Sequence, residues 1–431
     1  MKAVILAGGK GTRMGDACLE TPKPMLLLGD KPILLHQIEA LRREGVKDFL
    51  LVVGYLSAPI RSFFGDGSRF GVHIDYYEEE KPLGTAGALF RIPFDADFLL
   101  LNGDMLFDFS LQRMLGFHTS RGAGVTLLAH PNDHPLDSAT LRSEDDGLVT
   151  ALIGRQREKA PFGIRNLCNA GIQIVSPAAL EGLQADGPAD FDKDVVMPNI
   201  RRRTVYAYLS HEYVRDLGTP LRLEAADRDL QAGTPAAMRV DAVKRAVFLD
   251  RDGTVNVYKG YLSRAEDMEL LPGVSEAIRL LHRLGVLVII ASNQPVVARG
   301  MCSLQELRRI HDRMELLLAE QHSFADEIRF CPHHPDKGFP GENAAFKCVC
   351  GCRKPAPGML TAAAEENTIS LADSYMVGDT LRDIETARAA GCRPVFLRCG
   401  ATKEDPPGVP AYDDLYAFAR ALGKELKKGC E

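Results

Sequence analysis

The chain has no surplus of basic residues: 52 lysines and arginines stand against 58 aspartates and glutamates, a formal charge of -6 over 431 residues. That balance gives no global field for a nucleic-acid backbone, so any phosphate binding must come from local sites, and small phosphorylated ligands fit better than polymers. Long hydrophobic runs are missing too. The opening Met1-Lys2-Ala3-Val4-Ile5-Leu6-Ala7 reaches Gly8 after a stretch too short for a signal peptide, and nothing later approaches a membrane-spanning length. A cytoplasmic location with no membrane partner is therefore expected. Without a secretory signal, the ten cysteines read as reduced thiols or metal ligands rather than as a disulfide framework.

What is present suffices for ordinary cores, with 45% hydrophobic and 26% charged residues, and the length suggests two or three domains, with two the working number. Apolar β-rich runs alternate with helical patterns. Strands are expected at 3–6, 49–53 and 98–101 with a helix at 34–44, the βαβ rhythm of a parallel sheet. From 231 to 244 the text turns small and polar without a period, and Ala246-Val247-Phe248-Leu249 then opens a second series. In it, helices are expected at 274–284 and 303–321, and strands at 286–291 and 374–377. No internal repeat relates the halves, so the chain reads as a fusion. The expected domains are 1–232 and 245–431, joined by a linker over 233–244.

The strongest local signal is Phe248-Leu249-Asp250-Arg251-Asp252-Gly253-Thr254, two carboxylates at i and i+2 where an apolar strand gives way to a glycine loop. Open α/β sheets bind ligands at such strand ends. There Asp250 can attack phosphorus to form an aspartyl phosphate, while Asp252 protonates the departing alkoxide and later activates water. An isolated pair of this kind is as readily a turn with two solvated acids. Three further elements weigh against that. Strand 286–291 ends in Ser292-Asn293-Gln294, whose hydroxyl and amides can hold phosphoryl oxygens, and Arg353-Lys354-Pro355 supplies fixed positive charge. Strand 374–377 runs into Gly378-Asp379, with Asp383 a turn later. A carboxylate there can hold magnesium with Asp250 and the backbone carbonyl of Asp252.

These segments resemble the haloacid dehalogenase superfamily, and within it the D-glycero-D-manno-heptose 1,7-bisphosphate 7-phosphatases and the related histidinol phosphatases, over about 245–399. The likeness extends through Asn293-Gln294 with Ala298-Arg299-Gly300, Cys331-Pro332-His333-His334-Pro335, Cys352-Arg353-Lys354-Pro355 and Tyr375-Met376-Val377-Gly378-Asp379. It implies Asp250 as nucleophile, Asp252 as acid/base, and Ser292 and Lys354 as phosphoryl clamps. Arg353 and the Tyr258-Lys259-Gly260-Tyr261 loop then contact the sugar or its other phosphate. Two departures stand out: Pro295-Val296-Val297 where the family commonly has Ser-Gly-Ile, and Thr380 where it often has a lysine, so that either phosphate binding is weaker or Arg382 substitutes for it.

Four cysteines fall close together, Cys331, Cys348, Cys350 and Cys352. Cys331-x-His333 and Cys350-x-Cys352 provide three thiolates and one imidazole, enough for a closed tetrahedral zinc site. Cys348 forms a second C-x-C with Cys350, and unpaired loop thiols are the alternative. The phosphatase family carries a zinc loop of this pattern, which implies a structural zinc at Cys331, His333, Cys350 and Cys352, pinning Arg353 and Lys354 against the active site. His334 reads as a bystander.

In the first half, Leu6-Ala7-Gly8-Gly9-Lys10-Gly11-Thr12-Arg13 follows the first strand, and its glycines let backbone N–H groups approach a nucleotide's phosphates. Such a loop alone suits any Rossmann-like turn. Lys23 in Thr21-Pro22-Lys23-Pro24-Met25 is stiffened by proline on both sides. Glu80-Lys81-Pro82-Leu83-Gly84-Thr85-Ala86-Gly87-Ala88 forms a second small-residue loop, and strand 98–101 ends in Asn102-Gly103-Asp104. Asp104 and Asp216 can together hold a magnesium on nucleotide phosphates.

This set, with Asn169-Ala170-Gly171-Ile172, resembles the sugar-phosphate nucleotidylyltransferases over about 1–230, especially the mannose- and heptose-1-phosphate guanylyltransferase-like branch. The resemblance implies that a sugar-1-phosphate oxygen attacks the α-phosphorus of a nucleoside triphosphate in line with departing pyrophosphate, by positioning and charge neutralisation. It further implies Arg13 on the triphosphate, Lys23 between the α-phosphate and the sugar phosphate, and magnesium on Asp104 and Asp216. Gly8, Gly9 and Gly11 join Pro82, Gly84 and Thr85 around the nucleotide, while Asn102 and Asn169 line the substrate. Glu158-Lys159-Ala160 stands where Glu-Lys-Pro often meets the sugar phosphate.

The expected fold is α/β: a nucleotidyltransferase mixed sheet followed by a haloacid-dehalogenase-like parallel sheet with a zinc loop. The expected substrates are sugar phosphates and a nucleoside triphosphate, GTP by the resemblance, with magnesium at both sites. That route implies the α-anomer of the heptose bisphosphate. The rival reading is a phosphatase of histidinol phosphate or another small ester beside a mannose- or glucose-1-phosphate transferase.

Overall fold

The computed structural model describes residues 1–9, 14, 18, 20–154, 163–185, 187–400 and 404–428. The chain divides into two compact units. The first holds Met1–His130, Leu141–Gly154 and Leu167–Val240; the second holds Pro131–Thr140, the described residues of Arg155–Asn166, and the chain from Asp241 onward.

In the first unit, β1 (Lys2–Leu6) is followed by α1 (Ile33–Arg43), β2 (Asp48–Val53), β3 (His73–Glu78), β4 (Phe98–Asn102) and β5 (Met105–Asp108). Next come α2 (Leu111–Arg121), β6 (Val125–His130), β7 (Thr140–Ser143), β8 (Val149–Ile153), β9 (Cys168–Val175), β10 (Val205–Leu209), β11 (Tyr213–Asp216) and α3 (Pro220–Gln231). A nine-stranded mixed sheet runs β8-β7-β9-β4-β1-β2-β3, with β6 bridging β9 and β10. Strands β4, β1, β2 and β3 are parallel, whereas β9 pairs antiparallel with β4. Alternate residues of β1 feed opposite faces: Ala3 and Ile5 join the cluster under α1, and Val4 joins the one on the other side. Both faces are thus covered, which is why these strands read as continuous apolar runs rather than alternating ones. The parallel strands β1 and β4 therefore end at the same edge, and the loops after them carry Gly8 and Asp104.

The second unit runs β12 (Arg245–Leu249), α4 (Val274–Arg283), β13 (Val286–Asn293), α5 (Leu304–Glu320), β14 (Glu327–Cys331), α6 (Gly358–Asn367), β15 (Tyr375–Gly378), α7 (Leu381–Ala390), β16 (Arg393–Leu397), β17 (Ala411–Tyr412) and α8 (Leu415–Lys428). Its sheet is six-stranded and parallel throughout, in the order β14-β13-β12-β15-β16-β17. The order reverses at β12, with β13 on one side and β15 on the other, the crevice where open sheets take their ligands. Helix α5 begins at a reciprocal cap, in which the Ser303 hydroxyl accepts from the Glu306 amide at 3.1 Å and the Glu306 carboxylate accepts from the Ser303 amide at 2.6 Å. Its apolar face, Leu307, Ile310, Met314 and Leu318, joins Val247, Leu249 and Val288 in the core. Both sheets have the class expected, one mixed and one parallel.

Two candidate active sites

In the second unit, β12 is buried to its last residue, and the three residues that follow open the site. The ammonium of Lys354, 2% exposed, lies 2.8 Å from Asp250 Oδ1 and 2.6 Å from Asp383 Oδ1. Burial pushes Asp250 up to about 7, against the pull of Lys354 and with the push of Asp383. Burial lowers Lys354, but the two carboxylates outweigh it and hold the lysine above its ordinary value, hence charged. Oxygens of Asp250, Asp379 and Asp383 all come within 4.8 Å of one another. The seat of Asp379 depends on two glycines. A Cβ on Gly253 would lie 2.4 Å from its carboxylate, and one on Gly400 would lie 2.0 Å from it.

Asp252 is held from three sides. Arg251 reaches its two oxygens at 2.9 Å, Asn256 Nδ2 donates at 3.1 Å and Gln294 Nε2 at 2.8 Å. These carboxylates line a cavity of about 400 Å³ together with Tyr258, Gly260, Tyr261, Asn293, Gln294, Arg299, His334, Arg353, Lys354 and Arg382. The guanidinium carbon of Arg299 lies over the rings of both Tyr261 and Phe339, 4.4 and 4.1 Å from their centroids, cation–π contacts that hold the charge in place.

Three residues expected at the site have partners within the protein. Ser292 is 1% exposed and stands outside the cavity lining, its hydroxyl accepting from Gln294 at 2.8 Å. It braces Gln294. Asn293 brackets the backbone of Lys354, accepting from its amide and donating to its carbonyl at 2.9 Å each. Lys259 turns to Glu269 at 2.9 Å and to the Asp267 carbonyl, away from the cavity. His334, read as a bystander to the zinc loop, lies outside the cysteine and histidine group and lines the cavity.

The cysteine loop closes on itself. Cys331 Sγ lies 3.5 Å from Cys350 Sγ and 3.6 Å from His333 Nδ1; Cys352 Sγ lies 3.3 Å from Cys350 and 3.5 Å from His333 Nδ1. Such separations are near the edges of a tetrahedron with metal–ligand distances of about 2.0–2.3 Å. Cys348 is exposed and lies outside that group. Arg353 NH1 donates to the His333 carbonyl at 3.1 Å, so the loop positions a cavity-lining cation.

In the first unit, Lys23 is 6% exposed and its ammonium lies 2.6 Å from Asp104 Oδ2. The turn bearing Asp104 is fixed by the buried Gln37 of α1, which donates to the carbonyls of Asn102 and Met105 at 3.0 and 2.8 Å. Asp216 pairs across the β5–β11 ladder with Met105, and the Leu217 amide donates to the Asp104 carbonyl at 2.9 Å. The two expected magnesium ligands thus sit side by side. Arg222 and the Gly218 amide engage Asp216.

The loop holding Pro82, Gly84 and Thr85 is clamped by the segment entering a π-helical turn, Phe191–Val196. Ala86 N donates to the Ala189 carbonyl at 3.0 Å, Phe191 N donates to Thr85 Oγ1 at 2.7 Å, and a Cβ on Gly84 would meet the Ala189 oxygen at 2.3 Å. Asn169 sits at a bulge in β9 and donates to Asp192 Oδ1 at 3.2 Å; Gly171, one turn of the bulge on, packs against Asn102. Burial, then the nearby Asp190, raises Asp192. No motif marked Asp192 in the sequence. A Cβ on Gly8 would lie 3.2 Å from the Gly54 amide, a close approach that keeps this position small. Gly11, Arg13, Glu158 and Lys159 lie outside the described residues.

The Nucleotidyl transferase family matches residues 2–233, more than half the chain, and the HAD-hydrolase-like family matches 351–415. Over 156 residues, 36% of the chain, it is 43% identical to the D-glycero-beta-D-manno-heptose-1,7-bisphosphate 7-phosphatase of Yersinia pestis, covering 81% of that protein. The chain belongs to both the nucleotidyl transferases and the heptose-bisphosphate 7-phosphatases. It is a fusion of two enzymes, a transferase followed by a phosphatase. The transferase is also 33% identical over 226 residues to the mannose-1-phosphate guanyltransferase of Candida albicans, covering 51% of this chain and 62% of that one. Among solved structures, the D,D-heptose 1.7-bisphosphate phosphatase of B. bronchiseptica, complexed with magnesium and phosphate, is 35% identical with a TM-score of 0.38, covering 42% of this chain and 99% of that one. Among the described residues, no helix is long and apolar enough to cross a membrane.

Proposed function

We propose that the phosphatase removes the distal phosphate of D-glycero-D-manno-heptose 1,7-bisphosphate, and that the transferase joins the resulting 1-phosphate to GTP, releasing pyrophosphate and GDP-heptose. The observation that carries this reading is the 43% identity to a heptose-bisphosphate phosphatase, falling on a site whose acid set, Asp250, Asp252 and Asp379, is complete. The product of one half is then the substrate of the other. The likeness to a guanyltransferase supports GTP. The sequence boundaries 1–232 and 245–431, with a linker between, suit a transferase and a phosphatase each with its own core.

In the phosphatase, Asp250 attacks the 7-phosphoryl group while Asp252 gives its proton to the departing sugar oxygen. Asp252 then draws a proton from the water that hydrolyses the aspartyl phosphate. Lys354 holds the phosphoryl oxygens, and Arg299, Arg353 and Arg382 suit the retained phosphate by charge. Asp250, Asp379 and the Asp252 carbonyl would hold magnesium, which supplies charge neutralisation at the phosphoryl group. The glycine-lined seat of Asp379 fits that role. Cys331, His333, Cys350 and Cys352 would hold a structural zinc, and their near-tetrahedral spacing supports it. In the transferase, Lys23 neutralises charge between the two reacting phosphates, and Asp104 with Asp216 would hold the second magnesium.

Purified protein incubated with the bisphosphate, GTP, magnesium and zinc should release phosphate and pyrophosphate and form GDP-heptose. The relatives' printed substrate is the β-anomer, whereas the GDP route implies the α-anomer, so both anomers are supplied separately. Absence of both products with either anomer under reducing conditions overturns the reading. Phosphate release from histidinol phosphate in preference to either bisphosphate replaces it with the rival.

A further inference from the structure

We propose that Arg251 and His311 form a buried pair that positions the acid/base Asp252, and so decides which leaving groups the phosphatase can expel. Arg251 has no exposed surface, a rare state for arginine unless it is fully partnered. Its partners are on the page. Nε donates to Asp252 Oδ1 at 3.2 Å, NH2 donates to both Asp252 oxygens at 2.9 Å, and NH1 lies 3.3 Å from His311 Nε2. A guanidinium only donates, so Nε2 is the acceptor and the neutral ring carries its proton on Nδ1. His311 comes from α5, is 6% exposed and packs against the Phe330 ring at 5.1 Å. A residue sixty positions away thus braces the arginine from behind.

The backbone makes the arrangement more than a salt bridge. The Arg251 amide donates to Asp250 Oδ1 at 2.7 Å, while its side chain folds forward onto Asp252. One residue therefore touches both reacting carboxylates and sets the gap between them. Asn256 and Gln294 also bond Asp252, but both are neutral amides, and Gln294 shares its nitrogen with Ser292. The bidentate cation is the stronger orienting partner.

The chemistry separates positioning from bulk stability. As Asp250 forms its bond to phosphorus, the P–O bond to the leaving group breaks and the electron pair goes to that oxygen. An alkoxide must take the Asp252 proton as it leaves; p-nitrophenolate leaves as a stable anion without it. In the second step water forms the new P–O bond, gives its proton to Asp252, and Asp250 departs. Misplacing Asp252 therefore slows the first step for an alkyl ester and spares it for the aryl ester.

The inference rests on the phosphatase chemistry but not on the sugar. In rapid-mixing experiments on the full chain, the first-turnover rate is measured with the heptose bisphosphate and with p-nitrophenyl phosphate. Glucose 6-phosphate replaces the bisphosphate if the wild type hydrolyses only the former, a result that removes the heptose reading alone. In His311→Leu the alkyl rate should fall on the order of 10- to 100-fold, part of the roughly 100- to 10,000-fold that acid–base catalysis contributes, while the p-nitrophenolate burst stays within about threefold. His311→Gln, which keeps an acceptor, should restore most of the loss. The ratio of the two rates on one preparation is independent of the folded fraction, so partial misfolding does not blur it. Arg251→Lys provides the same ratio from the other partner. Equal slowing of both esters, or no slowing of either, overturns the proposal.

Discussion

Lys354 stands between Asp250 and Asp383, its ammonium 2.8 Å from the first and 2.6 Å from the second. One cation thus keeps the cavity-lining Asp250 and the buried Asp383 from facing each other bare. Lys354→Met should abolish phosphate release, by at least about 100-fold, and lower stability by about 3–5 kcal/mol, the usual cost of stranding a buried charge. Phosphate release and denaturant unfolding followed together check both. Activity within tenfold of wild type would show that the phosphoryl clamp lies elsewhere.

The acid sets belong to separate units, so they should fail separately. Asp250→Asn should stop phosphate release and leave pyrophosphate release from a supplied sugar 1-phosphate and GTP unchanged. Asp104→Asn should do the reverse. Coupled loss of both activities by either variant would contradict this division, and so would a variant that loses nothing.

Metal content offers an independent check on the cysteine loop. Protein purified under reducing conditions should carry about one zinc per chain, in keeping with four protein ligands. Cys350→Ser should release it and slow the phosphatase by tenfold or more, since secondary support of this kind usually matters to about that extent. Nucleotide transfer should continue. Full zinc content in Cys350→Ser would redirect the site to Cys348.

His311 makes stability pH-dependent. Burial, and then the Arg251 charge, hold its folded value well below 6.5. The unfolded chain therefore binds the extra proton first as pH falls. Its contribution is complete above 6.5 and is lost as pH drops from there toward the folded value, by up to about 1.4 kcal/mol per pH unit. His311→Gln should flatten that slope. Urea unfolding at pH 7.5 and 5.5 should then differ less in the variant; an unchanged difference would mean that the ring is already charged.

In the transferase, Arg239 bonds Glu44 at 2.9 Å and Asp108 at 2.7 Å, and Asp108 also accepts from Arg43 at 3.0 Å. All but Arg43 are largely covered, so the network should count for more than surface pairs do. Arg239→Ala is expected to cost about 1–3 kcal/mol. Arg239→Lys, which cannot fork to two carboxylates, should recover only part. Unfolding transitions of the three proteins would settle the order.

Much of this fold is legible because its strands are buried on both faces and end in polar text. The helix expected at 34–44 is Ile33–Arg43, and the strand expected at 286–291 is Val286–Asn293. The two-residue extension of that strand matters. It takes Ser292 into the pleat, one face away from its neighbours, and a sequence with three consecutive polar residues gives no sign of which ones line the cavity. Lys259 was as ambiguous, since only the fold places Glu269 beside it. Arg251 reads as a spacer between two acids until α5 supplies His311, a partner that no local spacing can reveal. Asp192 escapes for a similar reason: Asn169 reaches it only across the bulge in β9.

The seat of Asp379 joins Gly253, just past the first strand of the phosphatase, to Gly400, just past the fifth. The space that Asp379 occupies is thus kept open from both ends of the phosphatase sequence. A side chain larger than hydrogen at either glycine would press on the same carboxylate, so the two positions are tied to one another although most of the domain lies between them.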